Sequence, residues 1–413
     1  MHSLAPPDVY QHVIVRGLPY DRGLSHGYQV KDKILRNIAY YKQPGKLVPL
    51  HLAAKIIREC YIPGLRKYWP SGLEEMRGVA AGAGVDLEDI VMLNARYDLS
   101  HFHTSPAEPK GTIDDASGCN GVTTNGFSSA APPECTSAIF LSEATCNGHV
   151  FTAQNWDMSH RLYTEDSVIY LEVHPDPSEN IPSMFIVTEA GQLCRSGINS
   201  AGLGLTANSL QSSMDEGPVP VAENSGLTSA YPEIPPCSAL RRLFLEQSNF
   251  ADGLKRIART PRHVSSNIMV STAENIGLCL EVTPKTIFRV SISSSSTPPY
   301  LIHSNHFQTP QFLAQSEVFD TYGGGSSWYR GDRLEAGVKQ KACRGALTDS
   351  DIINAFQDHA GYPHSLCEHT TEGHKKIGAS VNNEVGPYSG PTSTVCCVLY
   401  NLSKRSVRTQ ENI

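Results

Sequence analysis

The chain has 413 residues, 40% of them hydrophobic and 18% charged, with a formal charge of −7. That is enough apolar material for one large domain or two medium ones, and the lack of any basic block argues against nucleic acid as a partner. No run of about 20 apolar residues spans a membrane, and the start, Met1-His2-Ser3-Leu4-Ala5-Pro6-Pro7, lacks the basic residues and apolar run of a signal peptide.

The first hundred residues read as mainly helical. The apolar run Val13-Ile14-Val15 ends in a turn at Arg16-Gly17-Leu18-Pro19-Tyr20, and a helical pattern follows through Ile34 and Tyr41. Leu50, Ala54, Ile57 and Tyr61 recur at helical spacing within 47–68. Ser71 with Glu74 has the form of a capping box for the next helix, which stops at Gly82-Ala83-Gly84. Another helix is expected over 87–97. Residues 102–134, rich in Pro, Gly, Ser and Asn, read as an exposed linker or lid.

From Cys135 the pattern becomes strand-rich. Strands are expected at 167–173, 184–188, 202–208, 266–270, 277–282, 288–292, 300–303 and 394–402, with 266–270 and 277–282 paired. A low-apolar loop covers 211–236, and helices are expected over 240–257, 330–338 and 349–359, the last capped by Thr348 or Ser350. Strands and helices in blocks predict helical layers over antiparallel sheets. Eleven Cys without a C-x-x-C pair point to a cytoplasmic protein with mostly reduced thiols, and Cys396-Cys397 lie in an apolar run that suits burial.

The chemistry concentrates around Cys135. The segment Cys135-Thr136-Ser137-Ala138-Ile139-Phe140, the turn Asn147-Gly148 and the returning run through Gln154-Asn155-Trp156-Asp157 form a hairpin signature. A thiol at the head of the first strand becomes an N-terminal nucleophile if the Glu134–Cys135 bond is cut, because its own α-amine, with a pKa of about 7.7–8.0, then serves as base. Alternation puts Asn155 and Asp157 on one face, where a carboxylate can orient that amine. Asn267 at a strand entry can donate to an oxyanion. Cys119 is a weaker rival nucleophile, since Asn120-Gly121 turns the chain after it, and Cys146 reads as structural. His303 and His306 read as packing and loop residues, so no metal ligand set is assigned.

Together these blocks resemble the acyl-coenzyme A:6-aminopenicillanic acid acyltransferases, the isopenicillin N acyltransferase family among the N-terminal nucleophile hydrolases. The resemblance also runs through Arg16-Gly17-Leu18-Pro19-Tyr20, the segments 78–83 and 87–96, Gly197-Ile198-Asn199-Ser200-Ala201-Gly202, His303-Ser304-Asn305-His306, Ser327-Trp328-Tyr329-Arg330-Gly331-Asp332-Arg333 and Tyr362-Pro363-His364-Ser365-Leu366-Cys367. It implies an α+β fold, a four-layer αββα sandwich, and self-cleavage between Glu134 and Cys135. The two resulting chains, 1–134 and 135–413, would stay associated as one domain. Cys135 would be the nucleophile, Asp157 the acidic residue near the amine and Asn267 the oxyanion amide, with Thr136, Asn155 and Arg330 in support. The implied reaction moves an acyl group from a coenzyme A thioester or an amide to an amine or to water, without a cofactor. Non-catalytic use of the same fold is the alternative. The chain departs from the penicillin-forming pattern at Glu134, where that enzyme has Gly. It also departs at Ser389-Gly390-Pro391-Thr392, which lacks the Arg of a Ser-Arg pair, and at Glu411-Asn412-Ile413, which is not a peroxisomal tripeptide.

Overall fold

The computed structural model describes residues 9–101, 134–218, 221–222, 229–322, 325–370 and 391–410. Cys119, the 102–133 stretch of the expected lid, Ser389-Gly390 and the C-terminal tripeptide lie outside them. In chain order the strands are β1 (Gln11–Gly17), β2 (Cys135–Phe140), β3 (Phe151–Ser159), β4 (Val168–Pro175), β5 (Met184–Glu189), β6 (Ser196–Asn199) and β7 (Leu203–Ser209). There follow β8 (Val221–Ala222), β9 (Ser229–Ala230), β10 (Ser266–Thr272), β11 (Ile276–Val282), β12 (Ile287–Ser293), β13 (Tyr300–His303), β14 (Thr392–Asn401) and β15 (Ser406–Gln410).

These strands make two large sheets. One is eight-stranded in the order β1-β4-β5-β6-β7-β10-β11-β12, and the other is five-stranded in the order β13-β2-β3-β14-β15. β8 and β9 form a separate ribbon. Pairing is antiparallel except where β1 lies parallel to β4 at the edge of the larger sheet. Connectivity permits that exception, because β1 and β4 are joined by a long stretch of chain that includes the N-terminal helices and the β2–β3 hairpin, not by a tight turn.

The expected four layers follow from where the apolar side chains go. The N-terminal helices and the helices Ser238–Leu245 and Phe250–Arg259 cover the outer face of the eight-stranded sheet, packing Ile34, Met76, Leu93 and Phe244 with Leu171, Ile186, Leu205 and Ile268. The helices Ser326–Ala342 and Asp349–Phe356 cover the smaller sheet, packing Leu334, Val338, Ile352 and Phe356 against Phe140, Phe151 and Leu399. Between the sheets lie Cys135, Trp156, Met158, Ile198, Val398 and Tyr400 in one cluster, and Ile139, Met269 and Cys279 in another. β2 and β3 are therefore buried on both faces, so their sequences lack the clean alternation of a half-exposed strand. No helix among the described residues is long and apolar enough to cross a membrane.

Helix ends show what sequence pattern misses. Ser71 does not cap its helix; Pro70 occupies the first turn after Trp69, where its fixed φ starts the helix and its missing N–H costs nothing. The later helix follows expectation: Thr348 accepts from the Asp351 N–H and completes a capping box. The helices Pro19–Gln29 and Pro70–Ala83 meet backbone to backbone, and a Cβ on Gly78 would lie 2.1 Å from the Tyr20 carbonyl oxygen. Gly78→Ala should therefore cost about 3 kcal/mol by overpacking a rigid contact. A lowered urea midpoint with an unchanged denaturant slope would show it.

Candidate active site

The hairpin places the thiol. Asn147 and Gly148, the latter at φ +67°, sit in the connection that brings β3 back beside β2, so that Cys135 pairs with Trp156 and Thr136 with Asn155. β2 is an interior strand between β13 and β3, and Cys135 at its head is fully buried. Its side chain lies on the inter-sheet face with Trp156, whereas Thr136 faces the helix Ser326–Ala342, where its Oγ1 meets Arg330.

The bond before Cys135 is held from several sides. The Asp157 backbone N–H donates to the Glu134 carbonyl at 3.0 Å. The Cys135 N–H donates to Asn305 Oδ1 at 2.7 Å. Arg330 donates through Nη1 to the Cys135 carbonyl and to Thr136 Oγ1, both at 2.7 Å, and through Nη2 to Asn305 Oδ1 at 2.9 Å. The Cys135 and Arg330 donors fix the Asn305 amide with its oxygen toward the Glu134–Cys135 bond. The Glu134 carboxylate accepts from Ser326 Oγ at 2.7 Å and Tyr322 OH at 3.1 Å, and pairs with Arg330 Nε at 3.3 Å.

Arg195, in the loop before β6, reaches the sulfur: its Nη2 lies 2.9 Å from Cys135 Sγ, and its guanidinium stacks over the Trp156 ring at 4.4 Å. Burial is the largest influence on the thiol and pushes its pKa up, while Arg195 pulls it down. Burial also lowers the Arg195 pKa to about 10, with Cys135 opposing. The Asp157 carboxyl is raised well above the usual carboxylate range by burial, against the pull of Arg330. Its Oδ1 accepts from Thr394, and its Oδ2 has no hydrogen-bond partner among the described residues.

Of the residues expected from sequence, Glu134, Cys135, Thr136, Asp157 and Arg330 come together. Asn155 does not join them; it spends its Nδ2 on the Phe356 and Leu366 carbonyls, tying β3 to the covering helix. Asn267 makes its present hydrogen bonds away from Cys135. It lies on β10 of the opposite sheet, where its Nδ2 donates to Cys279 Sγ and the Leu280 carbonyl and its Oδ1 accepts from Asn208. The side-chain amide that meets the Cys135 backbone N–H is that of Asn305. Asn267→Ala should accordingly lower stability by about 1–3 kcal/mol, because Asn208 Nδ2 loses an acceptor in a buried site. It should leave the chemistry of Cys135 in place. Asn305→Ala should lower stability too, because the Cys135 and Arg330 donors lose a buried acceptor, and should in addition slow chain cleavage; comparing cleavage with thermal unfolding for the two variants checks this.

His303 is a buried packing residue, its ring nitrogens taken by Glu281 and the Ser304 carbonyl. Among the described residues one trio has metal-binding donors close together: His359, Cys367 and His369, whose ligand atoms lie within 4.8 Å of one another. That donor set suits a metal such as zinc. Cys135 is fully buried among the described residues, and the cleft of about 440 Å³ lined by Tyr300, His306, Trp328 and Glu335 does not contain it.

Two facing sheets between helical layers, with a buried thiol beside a backbone carbonyl held by N–H donation, place the chain among enzymes that act on amides or acyl groups. A profile described as acyl-coenzyme A:6-aminopenicillanic acid acyl-transferase matches residues 144–411, well over half of the sequence. The chain belongs to that family. The match begins after Cys135. The chain is 24% identical over 390 residues to the acyl-coenzyme A:6-aminopenicillanic-acid-acyltransferase 40 kDa form of Emericella nidulans, covering 93% of this chain and 91% of that relative. Similar solved structures include a Caenorhabditis elegans N-acylethanolamine-hydrolyzing acid amidase ortholog, with a TM-score of 0.40, 12% identity and coverage of 65% of this chain and 93% of that one. Another is a conjugated bile acid hydrolase from Clostridium perfringens, with a TM-score of 0.41, 10% identity and coverage of 67% and 92%.

Proposed function

We propose that this chain cuts itself before Cys135 and then transfers acyl groups through a Cys135 thioester. The observation that carries the reading is the clamp on one peptide bond: the Glu134 carbonyl on the Asp157 N–H, the Cys135 N–H on Asn305 and the sulfur on Arg195. In self-cleavage the Cys135 sulfur attacks the Glu134 carbonyl carbon. The C–S bond forms as the C–N bond breaks, and the thiol proton ends on the departing nitrogen. The Asp157 N–H stabilises the negative charge that develops on oxygen. Water then hydrolyses the thioester, leaving a carboxylate on Glu134 and a free amine and thiol on Cys135.

In turnover that amine takes the thiol proton and the sulfur attacks the donor carbonyl. The donor is a coenzyme A thioester or an amide, as the family implies. The leaving group departs with the proton, and an acceptor amine then attacks the acyl-enzyme and restores the thiol. The cut halves stay together because β1 from the first pairs with β4 from the second, and Tyr10 OH donates to the Val395 carbonyl.

Steady-state assays with acyl-CoA thioesters, with and without a primary amine, test the transferase reading. Amide product formed in preference to free acid is expected. Free acid alone would make the enzyme an amide or thioester hydrolase.

A further inference from the structure

The carboxylate that precedes the cut sits in a site built to receive it. Glu134 accepts from Tyr322 OH at 3.1 Å and Ser326 Oγ at 2.7 Å and pairs with the fully buried Arg330 at 3.3 Å. Ser326 opens a seventeen-residue helix, whose first turn favours negative charge. None of these groups belongs to the departing segment, which ends at Glu134.

We infer that this cradle is the acyl-side specificity subsite of the mature enzyme, and that it selects acyl groups carrying a second carboxylate at the spacing of a glutamyl or glutaryl unit. The inference rests on the proposal that Cys135 first attacks the Glu134 carbonyl. In that event the glutamyl residue is the first acyl group the sulfur carries. Its side-chain carboxylate therefore marks where the far end of later acyl groups lies, at a distance set by the chain's own covalent geometry.

Charge supplies the second argument. Arg330 already spends Nη1 and Nη2 on Cys135, Thr136 and Asn305, so its Nε edge faces the carboxylate. Once Glu134 withdraws, a buried guanidinium loses an anionic partner, which is strongly unfavourable unless another anion arrives. Asp157 and Glu368 also lie near enough to act on Arg330 electrostatically, but Glu134 is the one carboxylate that pairs with it within 4.0 Å among the described residues. An apolar acyl chain would leave the Tyr322 and Ser326 hydroxyls without an acceptor as well, and sites that lose buried polar partners discriminate strongly against the ligand that cannot supply them.

The test uses the cleaved full-length protein, with cleavage checked by intact mass, and follows alkylation of Cys135 by iodoacetamide. Glutarate should slow labelling at a roughly tenfold lower concentration than pentanamide, a neutral compound of equal chain length with no carboxylate for the cradle. Tyr322→Phe and Ser326→Ala should each narrow that gap by weakening protection by glutarate. Equal protection by the two compounds in a cleaved protein would overturn the subsite and leave the nucleophile standing. A protein that never cuts would remove both, and the mass spectrum separates the two failures.

Discussion

Cys135→Ala is expected to accumulate as one uncut chain with no acyl transfer, while the wild type yields a second chain beginning Cys-Thr-Ser-Ala. Loss of a nucleophile in enzymes of this kind lowers turnover by on the order of 10⁴–10⁶. Here the loss should be near the upper end, because in the proposed reaction one atom would serve twice, in maturation and in turnover. The variant should fold, since the substitution removes only a sulfur from a well-packed inter-sheet cluster. Intact-mass analysis and a thermal melt on the same sample separate failure to cut from failure to fold. In the proposed reaction the maturation step would also install the base. Before the cut the Cys135 nitrogen is an amide that donates to Asn305; afterwards it is an amine that must be neutral to accept a proton. Turnover should therefore rise with pH through roughly 7–8. Splitting of Cys135→Ala at the same bond would assign the attack to another group.

The parts of this site that were legible in sequence are those made by neighbours in the chain. The β2–β3 hairpin could be read because a Gly with positive φ in the turn and two strand-forming runs specify each other locally. The layered architecture could be read from the separation of helical and strand blocks. Arg195 could not be read, because it comes from a loop between strands of the other sheet and meets the sulfur only when the sheets stack. Asn305 stands in the block His303-Ser304-Asn305-His306, where nothing in the local pattern shows that it meets the Cys135 N–H. Asn267 and Asn305 carry the same side chain beside a strand of similar pattern. What distinguishes them is register: Asn267 pairs opposite Asn208 and Glu281 within the eight-stranded sheet, whereas Asn305 follows β13, the strand hydrogen-bonded to β2. No periodicity in one strand encodes which strand lies beside it.

Arg195→Gln is expected to cripple the thiol without removing it. Burial raises the Cys135 pKa and Arg195 counters it, so losing the guanidinium moves the thiol further up. Less thiolate is then present at neutral pH, and alkylation and acylation of Cys135 should both slow by about tenfold to a hundredfold, the worth of one hydrogen bond to a charged group. The sign of the pH effect is definite. The rate of the variant should climb over a higher pH range than that of the wild type and approach it only once the shifted thiol ionises. A merely structural role would lower the rate equally at every pH. Arg195→Lys should recover part of the loss, since it keeps the charge but gives up the planar stacking over Trp156. An alkylation profile identical to the wild type in Arg195→Gln would mean that the α-amine alone sets the thiol's reactivity, and that the 2.9 Å contact with the sulfur serves packing.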